Sequence, residues 1–216
     1  LAVVQNIVGL ALALPLNTQL RSRQPLRLLF FMPVILTPLI ISFLWRYIFA
    51  TQGPLNILLQ HVGLEGWQQN WLGEPGFAPF GVLVASSWQS IGLAMVIYIA
   101  GLQSIPNELL EAARIDGAGP WRRIRHVVVP MLAPALTVTI VNSLFTSMKL
   151  FDHIYVLTGG GPGYATETMS TLIYKTAFQF SETGYGSAIS VVFTFVISAV
   201  VLAALQALRK REIVNG

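Results

Sequence analysis

Cysteine is absent from the 216 residues, so neither a disulfide framework nor a cysteine-bound metal is available to this chain. Charge is also scarce: 10% of residues are Asp, Glu, Lys or Arg, against about 25% in an ordinary soluble protein. The three histidines, His61, His126 and His153, stand apart from one another in loops or at the ends of apolar runs. No His-Glu-x-x-His pair, no nucleophile with an adjacent base and no carboxylate pair lies within the apolar runs. An intramembrane enzyme would need one of these. The sequence therefore carries no catalytic and no metal-binding residue that its motifs reveal.

What fills the chain instead is apolar surface, 54% of all residues. It is arranged in five runs, Leu1 to Leu20, Leu28 to Trp45, Pro79 to Gln103, Val127 to Met148 and Ser187 to Leu208. About 20 apolar residues suffice for a helical crossing of a bilayer, so the expected architecture is an all-α, polytopic membrane bundle of five transmembrane helices. A transmembrane β-barrel would instead show weak alternation over about ten positions.

The cations set the orientation. Arg21, Arg23 and Arg27 follow the first run, Arg114, Arg122, Arg123 and Arg125 the third, and Arg209, Lys210 and Arg211 the fifth. These are alternate loops on one side, which the positive-inside rule makes cytoplasmic. The opposite loops, Thr51 to Ala78 and Asp152 to Gly186, hold Lys175 as their only cation. The N-terminus is thus expected outside and the C-terminus inside. The net charge of +4 is explained by orientation, and nucleic-acid binding is not expected. Because the first residue is Leu and the first apolar run starts there, an upstream helix is expected to precede it.

Between the third and fourth runs lies a polar loop, residues 104–126, that reads as helix, turn, helix. Ser104 offers a cap, Pro106 suits a first turn, and Asn107 to Asp116 is rich in helix formers. Gly117 supplies a left-handed stop, and Gly119-Pro120 a second start. At three- and four-residue spacing Ile105, Leu109, Ala112 and Ala113 share one face, with Glu108, Glu111 and Arg114 elsewhere.

The layout Glu111-Ala112-Ala113, Gly117, then Val127, Val129 and Pro130 resembles the EAA loop of ABC importer permeases, with Val-Val-Val-Pro where Ile-x-Leu-Pro is usual. The fuller string EAARIDGAGPWRR is similar to the carbohydrate-importing, maltose-type branch. That resemblance implies a type I importer permease fold, with residues 1–216 forming one transmembrane permease domain. It also implies that the loop is a coupling helix seated in a cytoplasmic ATPase, with Glu111, Ala112, Ala113, Asp116 and Gly117 as docking residues. The implied partners are an ABC ATPase dimer that binds ATP and Mg, a second and usually different permease, and an extracytoplasmic solute-binding protein. The implied setting is the lipid of a prokaryotic cytoplasmic membrane, and no cofactor is expected on this chain.

The outer loop, residues 152–186, resembles the same branch in FDHIYVLTGGGP and TETMSTLIY. Gly159-Gly160-Gly161-Pro162 allows a sharp turn there; it lacks the Lys-Ser/Thr of a phosphate-binding loop and lies on the wrong side for cytoplasmic ATP. Ala165 to Phe178 has helical spacing through Met169, Leu172, Ile173, Thr176 and Ala177, suited to the membrane interface or to a docked outer partner.

Polar side chains within spans are costly in lipid and are expected to face a cavity or another subunit. The resemblance places sugar contacts on the third and fourth runs, which nominates Trp88, Gln89, Ser90, Ser143, Ser147, Lys149 and Leu150 for a substrate path, and the cost of burying an unpartnered amide adds Asn142. Helix packing is the alternative for each Ser or Thr, and pairing with Asp152 the alternative for Lys149. Pro33, Pro38, Pro130 and Pro134 are expected to kink their helices, and Trp45, Tyr47, Trp67 and Trp71 to anchor at the outer interface. The expected function is an ATP-driven importer permease for a carbohydrate or related solute. A channel or structural membrane subunit without ATP coupling is the rival, and it leaves the docking loop unexplained.

Overall fold

The apolar runs fold as helices, several of which start or end near Pro or Gly. A computed structural model describes residues 1–18 and 22–215, with side chains to Lys210; Leu20, Arg21 and the side chain of Arg211 lie outside the described residues. The helices are α1 (Ala2–Leu16), α2 (Arg23–Ile35), α3 (Pro38–Ile48), α4 (Pro54–His61), α5 (Ala78–Gln103) and α6 (Asn107–Ile115). They continue with α7 (Pro120–Arg123), α8 (Val129–Met131), α9 (Ala133–Met148), α10 (Asp152–Leu157), α11 (Met169–Tyr174) and α12 (Thr183–Asn215). Wide π-helical turns occupy Ile124–Val128 and Lys175–Gln179.

Among the described residues α5 and α12 are each long and apolar enough to cross a bilayer. The bent pairs α2 with α3, and α7–α8 with α9, raise the number to four by length and composition. α1 is apolar but 15 residues long, short of the usual 20 or so, so a count of five rests on α1.

The prolines act mainly by starting new helices. Pro38 opens α3, behind Thr37, whose hydroxyl accepts from the Ile40 N–H at 3.4 Å. Pro130 sits in α8 and Pro134 in the first turn of α9, either side of a 70° bend at Leu132. Pro33 is buried inside α2, which ends two residues later. At Pro38, Pro130 and Pro134 the missing N–H and the ring clash make a helix start cheaper than helix continuation.

Two compact units make up the chain. The first comprises residues 33–89 and 146–197, together with Leu1. Its core is Val82, Ala85, Ile154 and Leu157, with Trp45, Leu72 and Leu150 packed against them. Ring contacts at 5.0–6.3 Å link Trp45, Phe49, Trp71 and Phe77, and Trp88 joins Trp45 edge-on at 5.9 Å. Trp45 and Trp71 are therefore packed within the unit, whereas Tyr47 and Trp67 stay exposed as interface anchors would. Buried Asn56 ties the connection after α4 together: its amide donates to the Thr51 and Gln69 carbonyls at 3.0 Å, and its oxygen accepts from the Trp71 indole at 2.9 Å. Arg46, a cation the outer-loop count omits, extends from α3 towards the Val156 carbonyl at 3.5 Å.

The second unit comprises residues 2–32, 90–145 and 198–216. Ala13, Leu16, Ala94, Met95, Tyr98, Ile99, Leu102 and Leu132 form its core, closed by Ile105 and Val128. Close helix approach depends on two glycines. A Cβ on Gly9 would lie 2.8 Å from the Ala94 Cβ, and one on Gly101 would lie 2.7 Å from the Ala135 Cβ, distances that real side chains do not tolerate. A hydrogen-bonded clamp crosses the same interfaces: the Tyr98 hydroxyl donates to Asn6 Oδ1 at 2.5 Å and accepts from Thr139 at 2.7 Å, while Asn6 Nδ2 donates to Ser143 Oγ at 2.7 Å. Arg27 donates to the Leu16 carbonyl at 2.7 Å, satisfying the C-terminus of α1.

Tyr98→Phe removes the hydroxyl that joins α1 to α9, and the expected loss is about 0.6 kcal/mol, up to roughly 1.7. Gly9→Leu is expected to cost several times as much because a helix must move. Thermal unfolding of the purified protein in detergent checks both, with Gly9→Leu giving the larger fall in midpoint.

Candidate coupling helix and translocation path

The loop between α5 and α9 is built as its sequence requires, with one correction. Ser104 does not cap α6: its hydroxyl donates to the Gly101 carbonyl at 2.8 Å and so finishes α5, while Pro106 takes the position before α6 without a side-chain cap. At the other end Gly117 adopts φ +73°, and the Ala118 and Gly117 N–H groups return to the carbonyls of Ala113 and Arg114 at 3.0 Å. This is a Schellman closure, which needs a residue free to be left-handed. α7 then starts at Pro120, as its sequence predicts.

The expected common face of Ile105, Leu109, Ala112 and Ala113 is split. Ile105 and Ala113 are buried, with Leu110 packed on the core, whereas Leu109 and Ala112 face outwards. The reason is register: positions 110 and 113 share the inward side of α6, while Leu109, Ala112 and Ile115, at i, i+3 and i+6, share the outward one. Ile115 is 86% exposed and Trp121 74%. Glu108 and Glu111 flank this outward stripe, and Asp116 and Gly117 are exposed at its end. Of the nominated docking residues only Ala113 is buried.

In the first unit the nominated path residues meet a buried network that sequence reasoning missed. His153, taken above as isolated, is 3% exposed. Its Nε2 lies 2.7 Å from Gln89 Oε1, and its Nδ1 lies 2.9 Å from Ser42 Oγ. Gln89 Nε2 donates to the Leu36 carbonyl at 2.8 Å, and the Ser42 hydroxyl donates to Pro38 O at 2.7 Å. Gln89 thus satisfies the Leu36 carbonyl at the α2–α3 break, and His153 on α10 joins Gln89 to Ser42 on α3. The available signal was Gln89 itself, whose place within a span called for a partner. Trp88 on the same turn is 38% exposed. Lys149 is exposed, and Leu150 is half-buried and accepts from the Thr168 hydroxyl at 3.1 Å.

Ser147 lines a cavity of about 510 Å³ with Tyr164, Glu167, Thr168, Leu172 and Phe193. Glu167 pairs with Lys175 at 2.6 Å beside it. The glycine turn is real: Gly159 and Gly160 have φ of +63° and +90°. Thr166 holds it by donating to the Gly161 carbonyl at 2.7 Å and meeting Thr158 Oγ1 at 2.7 Å. The helix that follows starts at Met169 rather than near Ala165, because Thr168 and Thr171 form a reciprocal cap. Thr171 and Thr176 point into the unit.

In the second unit Ser90 offers its carbonyl to Gln5 Nε2 at 3.3 Å, and Ser143, fully buried, donates to the Ile140 carbonyl at 2.9 Å besides accepting from Asn6. The Ser143 side chain thus bridges helices, while for Ser90 it is the backbone carbonyl that joins α5 to α1. Asn142 lines a groove between α9 and α12. Among the described residues no group of three or more His, Asp or Glu side chains could hold a metal ion.

Residues 5–214 match the family described as binding-protein-dependent transport system inner membrane component. The chain belongs to this family. It is 37% identical over 211 residues to the probable starch degradation products transport system permease protein AmyD of Thermoanaerobacterium thermosulfurigenes, covering 98% of this chain and 71% of that one. It is 37% identical over 195 residues to the trehalose/maltose transport system permease protein MalF of Thermococcus litoralis, covering 90% of this chain and 65% of that one. A bacterial ABC transporter involved in the import of alginate superposes with a TM-score of 0.83 at 25% identity, covering 95% of this chain and 72% of its own. The fold is that of an ABC importer permease, and the chain is a multi-pass membrane subunit of a binding-protein-dependent transport system.

Because Gln89 and His153 share one hydrogen bond, Gln89→Leu and His153→Leu are expected to be strongly non-additive, with a coupling of about 0.5–3 kcal/mol. A double-mutant cycle on thermal midpoints checks this; additive losses would mean the two side chains act separately.

Proposed function

We propose that this chain is one permease subunit of an ATP-driven importer for a carbohydrate or related solute in the cytoplasmic membrane of a prokaryote. The observation that carries the reading is α6. A nine-residue helix is held to the core along one edge by Leu110 and Ala113, and it presents Leu109, Ala112, Ile115, Glu108 and Glu111 outwards. Apolar side chains left exposed in a cytoplasmic loop, rimmed by acids, suit a groove on another protein.

In this reading α6 seats in an ABC ATPase dimer that binds ATP and Mg, and Glu111, Ala112, Ala113, Asp116 and Gly117 make or shape the joint. A second permease completes the path, and a loaded extracytoplasmic binding protein docks at the outer loops, 152–186 among them. ATP-driven closure of the dimer moves α6 and shifts the membrane helices between inward- and outward-facing states, through differential binding to the two. Trp88, Gln89, Ser90, Asn142, Ser143, Ser147, Lys149 and Leu150 supply hydroxyl, amide, cationic and aromatic groups along the route. Sugar transport is supported by the names of the relatives, which include permeases for starch degradation products and for trehalose or maltose.

The test is affinity purification of the full-length subunit from its native cells in mild detergent, with identification of what copurifies. An ATPase, a second permease and a solute-binding protein are expected; this chain alone, under conditions that preserve other membrane complexes, overturns the reading in favour of a channel or structural subunit. Glu111→Ala, Ile115→Asp and Gly117→Val are expected to keep membrane insertion yet abolish coupled transport. For Gly117→Val the left-handed backbone adds a local cost of roughly 1–2 kcal/mol. Full transport in all three would sink the coupling assignment.

A further inference from the structure

The second unit carries a groove of about 480 Å³ between α9 and α12. Val138, Val141 and Phe145 line it from α9, Val201 and Leu205 from α12, and Arg209 stands at one end. Thr137 and Asn142 add polar edges. From Val201 to Arg209 the helix rises about 12 Å, so the groove is an elongated apolar slot with a cation at its mouth and not a surface dimple.

The charge pattern of the chain puts that mouth at the cytoplasmic face, since Arg209 and Lys210 close the last apolar run. The slot itself lies at the depth of acyl chains. Basic pockets between transmembrane helices on the cytoplasmic side are suited to anionic lipid headgroups, and each Lys or Arg near that surface adds about 1 kcal/mol of attraction. A hydrophobic tail with a single negative head matches both ends of this slot, whereas a neutral solute leaves the guanidinium unused. A helix of another subunit would need its own acid placed at Arg209.

We propose that the α9–α12 groove is a binding site for one anionic phospholipid of the cytoplasmic leaflet, with an acyl chain along Val138, Val141 and Leu205 and the phosphate on Arg209. The lipid would brace α9, whose bend at Leu132 leaves it joined to α8 by a single turn. The proposal rests on the groove's lining and on membrane orientation, and it stands or falls independently of the transported solute.

The test uses the full-length chain in the complex in which it is purified, titrated in detergent with dioleoyl-phosphatidylglycerol or dioleoyl-phosphatidylcholine and followed by native mass spectrometry. One phosphatidylglycerol per chain is expected to bind in preference to phosphatidylcholine. Arg209→Gln should weaken it about five- to tenfold, and Arg209→Lys should retain it. Val141→Trp, which fills the slot and leaves the charge, should also displace the lipid. Equal binding of the two lipids, or an unchanged phosphatidylglycerol affinity in both Arg209→Gln and Val141→Trp, overturns the proposal. So does cross-linking of Val141→Cys to another protein segment in the assembled complex, which would mean that a helix occupies the groove.

Discussion

In hydrocarbon no water is present to satisfy a stray donor or acceptor, and two buried hydrogen-bond networks in the described structure answer to that constraint. Asn6, Tyr98, Thr139 and Ser143 meet in one chain of short hydrogen bonds across α1, α5 and α9. Ser42, His153 and Gln89 meet in another that takes up the Leu36 and Pro38 carbonyls where α2 gives way to α3. Each such bond contributes modestly, because the unfolded chain in a membrane also finds partners. Their effect is on specificity: one rotation of each helix satisfies the set, and other rotations leave groups unpaired at several kcal/mol each. Glycine does the complementary task, since Gly9 and Gly101 let the backbones come near enough for those side chains to reach.

The loops obey the same accounting with different partners. Where helices end, the orphaned carbonyls and amides are taken up by Arg27 on α1, by the Gly117 closure on α6 and by the paired threonines on α11. α6 is the exception in its side chains and not in its backbone. Its main chain is fully closed at the C-terminal end, yet apolar side chains stay in the open. A helix anchored on one edge and left with apolar side chains exposed on the other gains by being covered.

Much of this was legible in the sequence. The helical class, the long runs of α5 and α12 and the two-part loop at 107–123 followed from composition, from Pro and Gly, and from the run lengths. The glycine-rich turn before Pro162 followed in the same way. What was not legible depended on partners distant in the chain. His153 lies 64 residues from Gln89 and 111 from Ser42, so nothing local marks it as other than a lone loop histidine. The split of the α6 face was hidden for a different reason: spacing fixes which residues share a side, but not which side meets the core. Trp45 and Trp71 went astray because an aromatic near a membrane boundary is equally suited to the interface and to a ring stack.

The buried network also changes how the nominated path should be weighed. A side chain can meet a passing solute only with hydrogen-bonding capacity left over, or by giving up a bond it already holds. Gln89 has its oxygen on His153 and one amide hydrogen on Leu36, so a solute drawing on those groups would have to loosen the joint between α10 and the α2–α3 break. Ser143 is similarly engaged between Asn6 and its own helix. Trp88, on the same turn as Gln89, is 38% exposed and packs edge-on with Trp45, an indole held by ring packing and not by this hydrogen-bond network. The Gln89 bonds hold the turn of α5 from which Trp88 projects. Loss of the Gln89 amide would disturb Trp88, while loss of the indole would leave the network whole.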